Sequence, residues 1–573
     1  MKRFVLLLAV TLVGAAAVIY GLRHSVQTAP TAVTSLLPRG TVVLVHVPNF
    51  NRTRDDWHSS DLYQLYREPA VQDFLGKPLS QMPKQGAATQ VINEIEQLDP
   101  KDAFIAVTSI ENNNPRFAAG FHFRGSQANA EKIVGRWRAQ AVRDPSAHEV
   151  VDYEQHKIEI VGAEPNQIAT VYDSSWFFAS NDLAELKAIL DRADQRARDR
   201  ESTLDADTEF RGAVAHMPSS YALLFYLQPK KFTEKLSAVS SAIGQQLDVG
   251  QQAGLGQLRS LCGATRFDGG KIHDFLFAGM PQTNANISLT RSSVQLGTAD
   301  TFLYLAHLLN FETLATADQA ATFTALGGWL QKVYAASARA GITVNDWKAA
   351  FEPEAGSLAD WPASAHWPSL LVTIPVKDIA RATKVVKALT TAIDEDAPWT
   401  SAQKAGATYF YMQSPVSLIA ITPTIGLSNE RLVAGLDSVS VEAAMTRAPG
   451  ANGGKSSSLE NSPEYKAAVK SVPTPTTFFG YIDTKLLYSR LDTALRPMLL
   501  MTAAFMPAIS EHVDVGKLPP TEVVTRHLSP IVSSQRFDRD GYVAESVGPV
   551  TFNQAAIGVA VPVILWGVGH RSH

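Results

Sequence analysis

Apolar and polar positions along this chain follow two periods, one of strand type and one of helix type. Short apolar runs such as FAAGFHF, YALLFYL, SLLVTIPV and TTFFGYI have strand length and are bounded by proline or polar residues. YALLFYL and TTFFGYI are apolar on both faces, which predicts interior strands. Helical spacing follows Asp378, where Ile379, Ala382, Val385, Val386, Leu389 and Ile393 share one face. Ser126 and Asp378 are N-cap residue types at the starts of two such helices. ATYFYMQ and SLIAITPT read as strands joined by a turn. A helix is predicted from Asn429 through Ala444, another from Ser462, and then the strand TTFFGYI. That succession is close to a ferredoxin-like βαββαβ plan and predicts an α+β fold with a mixed or antiparallel sheet.

The N-terminus has a different pattern. Lys2 and Arg3 precede a run without charge from Phe4 to Leu22. As a helix that run reaches ~28 Å, close to a hydrocarbon core of about 30 Å. The positive pair stays cytoplasmic, so the remainder is expected to be exported. Ala15, Ala16 and Ala17 offer a small-residue cleavage site, but it lies inside the apolar run, so the expectation is an uncleaved signal anchor.

Self-comparison organises the rest. MPSSYALLFYLQPKKF from Met217 aligns without gaps with VPTPTTFFGYIDTKLL from Val472. Upstream, Leu204, Asp205, Glu209 and Phe210 face Leu459, Glu460, Glu464 and Tyr465. GSQANAEKIV faces VKDIARATKVV, and RFDGGKIHDFLFAG from Arg266 faces RFDRDGYVAESVG from Arg536. Four segments in the same order predict two tandem related halves. The expected division is an anchor over residues 1–24, a linker over 25–37, halves over 38–282 and 283–549, and an apolar tail over 550–573. LPRGTVVLVHVPNF from Leu37 reads as a third copy of the strand after Pro218 and Pro473, with His46 in the slot of Tyr226 and Tyr481. Proline at strand entry forgoes an N–H that the ladder does not need.

The arrangement resembles a family of bacterial envelope proteins known only as a domain of unknown function. The features that carry the resemblance are the strands entered at Pro38, Pro218 and Pro473, the Ser-then-Leu step before a capped helix (Ser202 to Phe210, Ser458 to Tyr465), and the run KLPPTEVVTRHLSPIV. Thr203 intervenes between Ser202 and Leu204, a departure from Ser458-Leu459. The resemblance implies export and architecture and carries over no catalytic residue.

Composition narrows the function classes. With 51 Lys plus Arg against 55 Asp plus Glu, the net charge of -4 gives no footprint for nucleic acid. The single cysteine, Cys262, forms no intramolecular disulfide and reads as a small buried hydrophobe. Asp205, Asp207 and Glu209 alternate as a calcium loop would, but the second copy has Ser462 in place of Asp207. Ser and Asp interchange as N-caps, so capping explains both copies. Glu511, His512 and Asp514 form a weak group that reads as solvated loop, and Gly453 and Gly454 read as linker. Met498, Met501 and Met506 read as a core helix. The tail from Ala555 to Gly569, broken by Pro562, is short for a membrane span. No metal or cofactor is expected.

The function expected from these readings is a non-enzymatic binding or scaffolding ectodomain held at the inner membrane, with an unidentified envelope protein or ligand as partner. Two alternatives are an exported hydrolase with a site of scattered residues and a carrier for an apolar ligand. Function peculiar to this chain should sit where the halves differ. The clearest difference is DWKAAFEPEAGSLADWPASAHWP, from Asp346 to Pro368, whose Trp347, Trp361 and Trp367 are the candidate partner contacts. The X-Pro steps after Trp361 and Trp367 favour extended backbone, where a ring can serve as an anchor.

Overall fold

The computed structural model describes residues 31–81, 93–111, 114–141, 148–162, 167–195, 200–230, 257–282, 287–311, 335–393, 398–412, 422–447, 458–505 and 513–554. The Phe4–Leu22 run, the tail from Ala555, Gly453, Gly454, Met506, Glu511 and His512 lie outside the described residues. Among the described residues no helix is long and apolar enough to cross a membrane.

The fold is α+β, built on one twenty-stranded sheet in which every neighbouring pair is antiparallel. The first run of strands is β1 (Val43–Asn49), β2 (Lys101–Glu111), β3 (Asn114–His122), β4 (His148–Tyr153), β5 (His156–Val161), β6 (Ile168–Asp173), β7 (Trp176–Ser180), β8 (Leu223–Leu227), β9 (Ser260–Asp268) and β10 (Lys271–Gly279). The second run is β11 (Thr301–Leu308), β12 (Glu354–Asp360), β13 (Ser369–Pro375), β14 (Trp399–Lys404), β15 (Ala407–Met412), β16 (Thr424–Leu427), β17 (Arg431–Gly435), β18 (Phe478–Ile482), β19 (Ile531–Asp538) and β20 (Gly541–Gly548). In space the first run is ordered β4-β5-β6-β7-β3-β2-β1-β8-β9-β10. It continues through β20-β19-β18-β11-β12-β13-β17-β16-β15-β14. The second sequence is the mirror of the first, each strand ten places later.

The two runs meet at β10 and β20, where Phe275 pairs with Glu545, Asp274 with Ser546 and Leu276 with Ala544. Matching Asp268 with Asp538 in the RFD hairpins makes Phe275 the counterpart of Glu545. The register is therefore symmetric about that pair, as in a two-fold contact between equal surfaces. Both hairpins close tightly, Asp268 against Lys271 and Asp538 against Gly541. The first turn uses Gly269 and Gly270, both at positive φ. A side chain there would be strained, and at Gly270 it would also meet the Asp61 carboxylate.

The described helices that matter below are α1 (Phe50–Ser59), α2 (Asp61–Arg67), α3 (Pro69–Gln81), α4 (Gln127–Ala141), α5 (Leu183–Ala193), α6 (Thr208–Val214), α7 (Val344–Ala350), α8 (Ile379–Ile393), α9 (Ser438–Arg447), α10 (Pro463–Lys470), α11 (Thr484–Phe505) and α12 (Thr521–Thr525). Alternate strand residues face opposite sides of the sheet. On one side Leu44, Phe104, Phe178, Leu224, Tyr226, Cys262 and Phe277 pack against Leu186, Ile189 and Leu190 of α5 and Phe210 and Ala213 of α6. The same side of the second run packs Tyr304, Leu358, Val433, Phe479 and Tyr481 against Val441 and Ala444 of α9 and Tyr465 and Ala468 of α10. The opposite side is covered by Ile133 and Val134 of α4 in the first run and by Ala382, Val385 and Val386 of α8 in the second.

The caps occupy the places the sequence indicates. Asp207 Oδ1 accepts from the Phe210 N–H at 3.0 Å and Ser462 Oγ from the Tyr465 N–H at 3.3 Å, with Pro463 at the first helical position. Asp378 Oδ1 accepts from the Ala380 and Arg381 N–H groups at the start of α8.

Three sequence expectations are corrected. Residues 431–435 are strand β17, paired with β13 and β16, so the helix predicted from Asn429 begins only at Ser438. Apolar Leu432, Val433, Leu436 and Val441 satisfy either period, and two pairing neighbours decide for strand. SLIAITPT falls mostly outside the described residues, and the strand preceding β17 begins at Thr424. Strand β1 takes the place that β11 takes in the second run, and each enters beside the turn before a capped helix, through the isolated bridges Pro38↔Thr203 and Thr298↔Ser458. His46 pairs with Leu224, while Leu44 pairs with Tyr226, so His46 is not in the tyrosine slot.

Candidate functional site

Four polar groupings lie in or beside the sheet, and exposed apolar side chains lie near one end of β13 and β17. The first crosses the junction of the runs. Arg266 Nη2 donates to His273 Nδ1 at 3.1 Å, because a guanidinium has no acceptor. In the neutral ring the proton then sits on Nε2, which faces Glu545 Oε2 at 3.5 Å. Arg536 Nη1 donates to Glu545 Oε1 at 2.9 Å, and the Arg266 guanidinium lies 5.3 Å from the Phe275 ring centre. Burial alone would raise the Glu545 carboxyl. His273 and Arg536 outweigh it and hold the group below its ordinary value. Arginine, histidine and carboxylate thus engage one another across the seam, an arrangement suited to fixing the register of two runs.

The second grouping lies on the other side of the same strands. Asp274 is buried and accepts from Thr265 Oγ1 at 2.6 Å and from the Thr551 hydroxyl. Burial pushes its carboxyl above the ordinary value despite those two donors. Thr551 also receives the Gln554 N–H, and Ser546 Oγ receives the Phe552 N–H. The segment after β20 is therefore fastened over the seam by a residue of β10.

The third joins β1, β2 and the chain entering β8. His46 Nδ1 lies 2.9 Å from the Tyr221 hydroxyl and Nε2 lies 3.6 Å from Asp102 Oδ1. Burial raises the Tyr221 phenol, so it stays protonated. Cys262 is fully buried and its thiol is likewise raised by burial, which removes the thiolate a nucleophile would need. This resembles the constellation of a hydrolase in composition, but His46 and Tyr221 are core side chains.

The fourth was not visible in the sequence. His156 opens β5, Asp173 ends β6 and Asp194 follows α5. Their ligand atoms lie within 4.8 Å of one another, the one such group among the described residues. One nitrogen and two carboxylate oxygens suit a divalent cation in type. His156 Nε2 and Asp194 Oδ2 already stand at hydrogen-bond distance, 2.8 Å, which accounts for that contact without an ion. Far separation in sequence hid the group, since two hairpins and a helix end bring it together.

The three predicted tryptophans separate. Trp361 is only 3% exposed, donates Nε1–H to the Ala365 carbonyl at 3.2 Å, and its own carbonyl accepts from Arg490 Nε. Trp347 is half-buried beside Phe351, 5.5 Å between ring centres, against the core of α8. Trp367 is 57% exposed. Exposed Leu370 and Leu436 lie one residue beyond the Leu371↔Gly435 pair of β13 and β17, and Val439 at the start of α9 is exposed as well. Asp205, Asp207 and Glu209 form no metal group, and Asp514 caps a short turn through the Gly516 N–H. Met498 and Met501 are solvent-exposed, which corrects the expectation of a core helix.

Comparisons with known proteins add little. No family model matches the chain, and no curated protein matches it. Three solved crystal forms of TP0453 are similar. Form III covers 46% of this chain and 83% of that one at 8% identity, form I 45% and 82% at 10%, and form IV 44% and 83% at 8%, each with a TM-score of 0.23. At that score the likeness carries no argument.

Proposed function

We propose that this chain is a membrane-anchored envelope protein whose ectodomain, made of two tandem related halves of ferredoxin-like character, binds or scaffolds an envelope protein. The anchor is the charge-free run from Phe4 to Leu22 behind Lys2 and Arg3, which directs the remainder out of the cytoplasm. The observation that carries the binding reading is the exposure of Trp367, Leu370, Leu436 and Val439, of which Leu370 and Leu436 lie one residue beyond the Leu371↔Gly435 pair. Exposed aromatic and aliphatic side chains are what a protein contact uses. The buried histidines, by contrast, are engaged by neighbouring tyrosine, arginine and carboxylate groups, as a structural core requires.

Two measurements test this reading. Alkaline phosphatase fused after Gly548 should be active, and an inactive fusion reverses the topology. Photo-crosslinking from position 370 in intact cells should capture a discrete envelope protein, and the product should disappear in Trp367→Ala. Equal capture in that variant removes the surface from the proposal.

A further inference from the structure

The last turns of α11 are unlike any other described helix. Arg496, at their base, is engaged by Asp492 at 2.7 Å and by the Leu518 and Pro519 carbonyls. Beyond it the sequence carries no charge from Pro497 to Ser510. Met498, Leu499, Leu500, Met501 and Phe505 are exposed by 42%, 44%, 46%, 59% and 84%. At about 100° per residue, four consecutive exposed positions cover most of the helix circumference. A protein groove takes one apolar stripe of a helix and leaves a polar stripe to water. Thr502 is the one polar side chain among these residues, and its hydroxyl donates to the Met498 carbonyl at 2.8 Å within the helix. A helix end whose exposed side chains are apolar on most sides suits a medium that surrounds it.

We propose that this end of α11 inserts into the hydrocarbon of a lipid bilayer, as a contact separate from the N-terminal run. The proposal holds whichever partner Trp367 meets. Pro497 to Phe505 span ~13 Å at 1.5 Å per residue, about the ~15 Å depth of one leaflet. The insertion is therefore into one leaflet, with no crossing. The Arg496 side chain, tied to Asp492 and two carbonyls, sits where the helix leaves the protein body and marks the limit of entry.

The test uses the full chain reconstituted in phosphatidylcholine vesicles, with Leu500→Cys carrying an environment-sensitive fluorophore. Native Cys262 is fully buried and leaves the label to the new site. The control label is at Lys470→Cys, at the end of α10. The expected result is a blue shift at position 500, quenching by nitroxide on the lipid acyl chain, and little quenching by iodide in water. The control should show the reverse. Met501→Glu beside the label should lose the blue shift, since a carboxylate resists hydrocarbon. Iodide quenching at position 500 equal to the control overturns the proposal. So does a label that is self-quenched between copies, which makes a second copy the occupant. A label already shielded in detergent, and uncovered by deleting the segment from Ala555, also overturns it and makes that tail the occupant.

Discussion

Phe210 meets Tyr226 edge-on at 4.9 Å in the first run of strands, and Tyr465 meets Tyr481 edge-on at 5.1 Å in the second. Both tyrosines are fully buried, and both partner rings sit one turn into a helix capped by Asp207 or Ser462. The polar groups around these pairs differ. His46 and Tyr221 form one buried contact in the first run, whereas Tyr304 and Ser293, 3.1 Å apart, form one in the second. His156 opens β5, while β15 opens with Ala407. Asp274 of β10 corresponds to Ala544 of β20, and Phe275 to Glu545. What recurs is what the fold demands, namely caps, hairpins and the rings beneath short helices. What differs is free to serve a purpose peculiar to one run.

The largest expected effect tests the recurring part. Tyr226→Ala and Tyr481→Ala should each cost about 3–5 kcal/mol, the range for deleting a large buried aromatic. Trp361→Ala belongs in the same range. Urea denaturation of each variant reads the loss. A cost below about 1 kcal/mol at one tyrosine and a full cost at the other breaks the equivalence of the two runs.

Asp274 has no acidic counterpart in β20, so its variant probes a difference. Burial raises its folded-state carboxyl above the unfolded value. The stability it supports is fully present below the ordinary carboxylate range, near pH 3.9, and is lost as pH rises through the raised folded value. Asp274→Asn should match the parent at low pH and exceed it at neutral pH by about 1–3 kcal/mol, the usual span for a buried polar group. Glu545 has the opposite sign. Its depressed carboxyl stabilises above the ordinary range and loses that contribution as pH falls through the folded value. Thermal melting of the Asn variant and its parent at several pH values separates the two. A constant difference at every pH shows that Asp274 does not titrate in this range.

The caps come next. Asp207→Ala and Ser462→Ala should each cost about 0.5–2 kcal/mol. Neither should alter bound metal. Calcium retained by the purified protein and lost in Asp207→Ala overturns capping as the role of that residue.

Local signals explain how much of this was legible in the sequence. The caps, the RFD hairpins, the interior positions of β8 and β18 and the helices α4 and α8 rest on residues near in sequence, and each was readable. Strand β11 carries no proline entry, so nothing in TFLYLAHL marks it as the counterpart of LPRGTVVLVHVPNF, and the shared proline ties β1 to β8 and β18 instead. RLVAG fits helix and strand spacing alike, and only its pairing to Leu371, Val372 and Thr373 of β13 decides. The networks of His273 with Glu545 and of Asp274 with Thr551 join residues far apart in the chain. No spacing rule links such positions, because the register of β10 on β20 creates the contact. The exposed end of α11 is hidden in the sequence for another reason. Its composition is that of a core helix, and only the lack of a covering element shows otherwise.

Trp367 carries the smallest expected effect on stability and the sharpest test of the difference between runs. Its ring is more than half exposed, whereas Trp361, six residues earlier, is core. Truncating an exposed side chain away from caps and buried networks usually changes stability by no more than about 0.5 kcal/mol. Trp367→Ala should therefore melt with the parent protein while losing the crosslinked partner. The conservative variant Trp367→Phe keeps an aromatic face and should recover part of the crosslink, since a contact anchor acts through its ring area. A melting shift as large as that of Trp361→Ala would place Trp367 in the core instead. Unchanged melting with unchanged capture would leave Leu370, Leu436 and Val439 without their aromatic anchor, and the contact surface would have to be sought on the first run of strands.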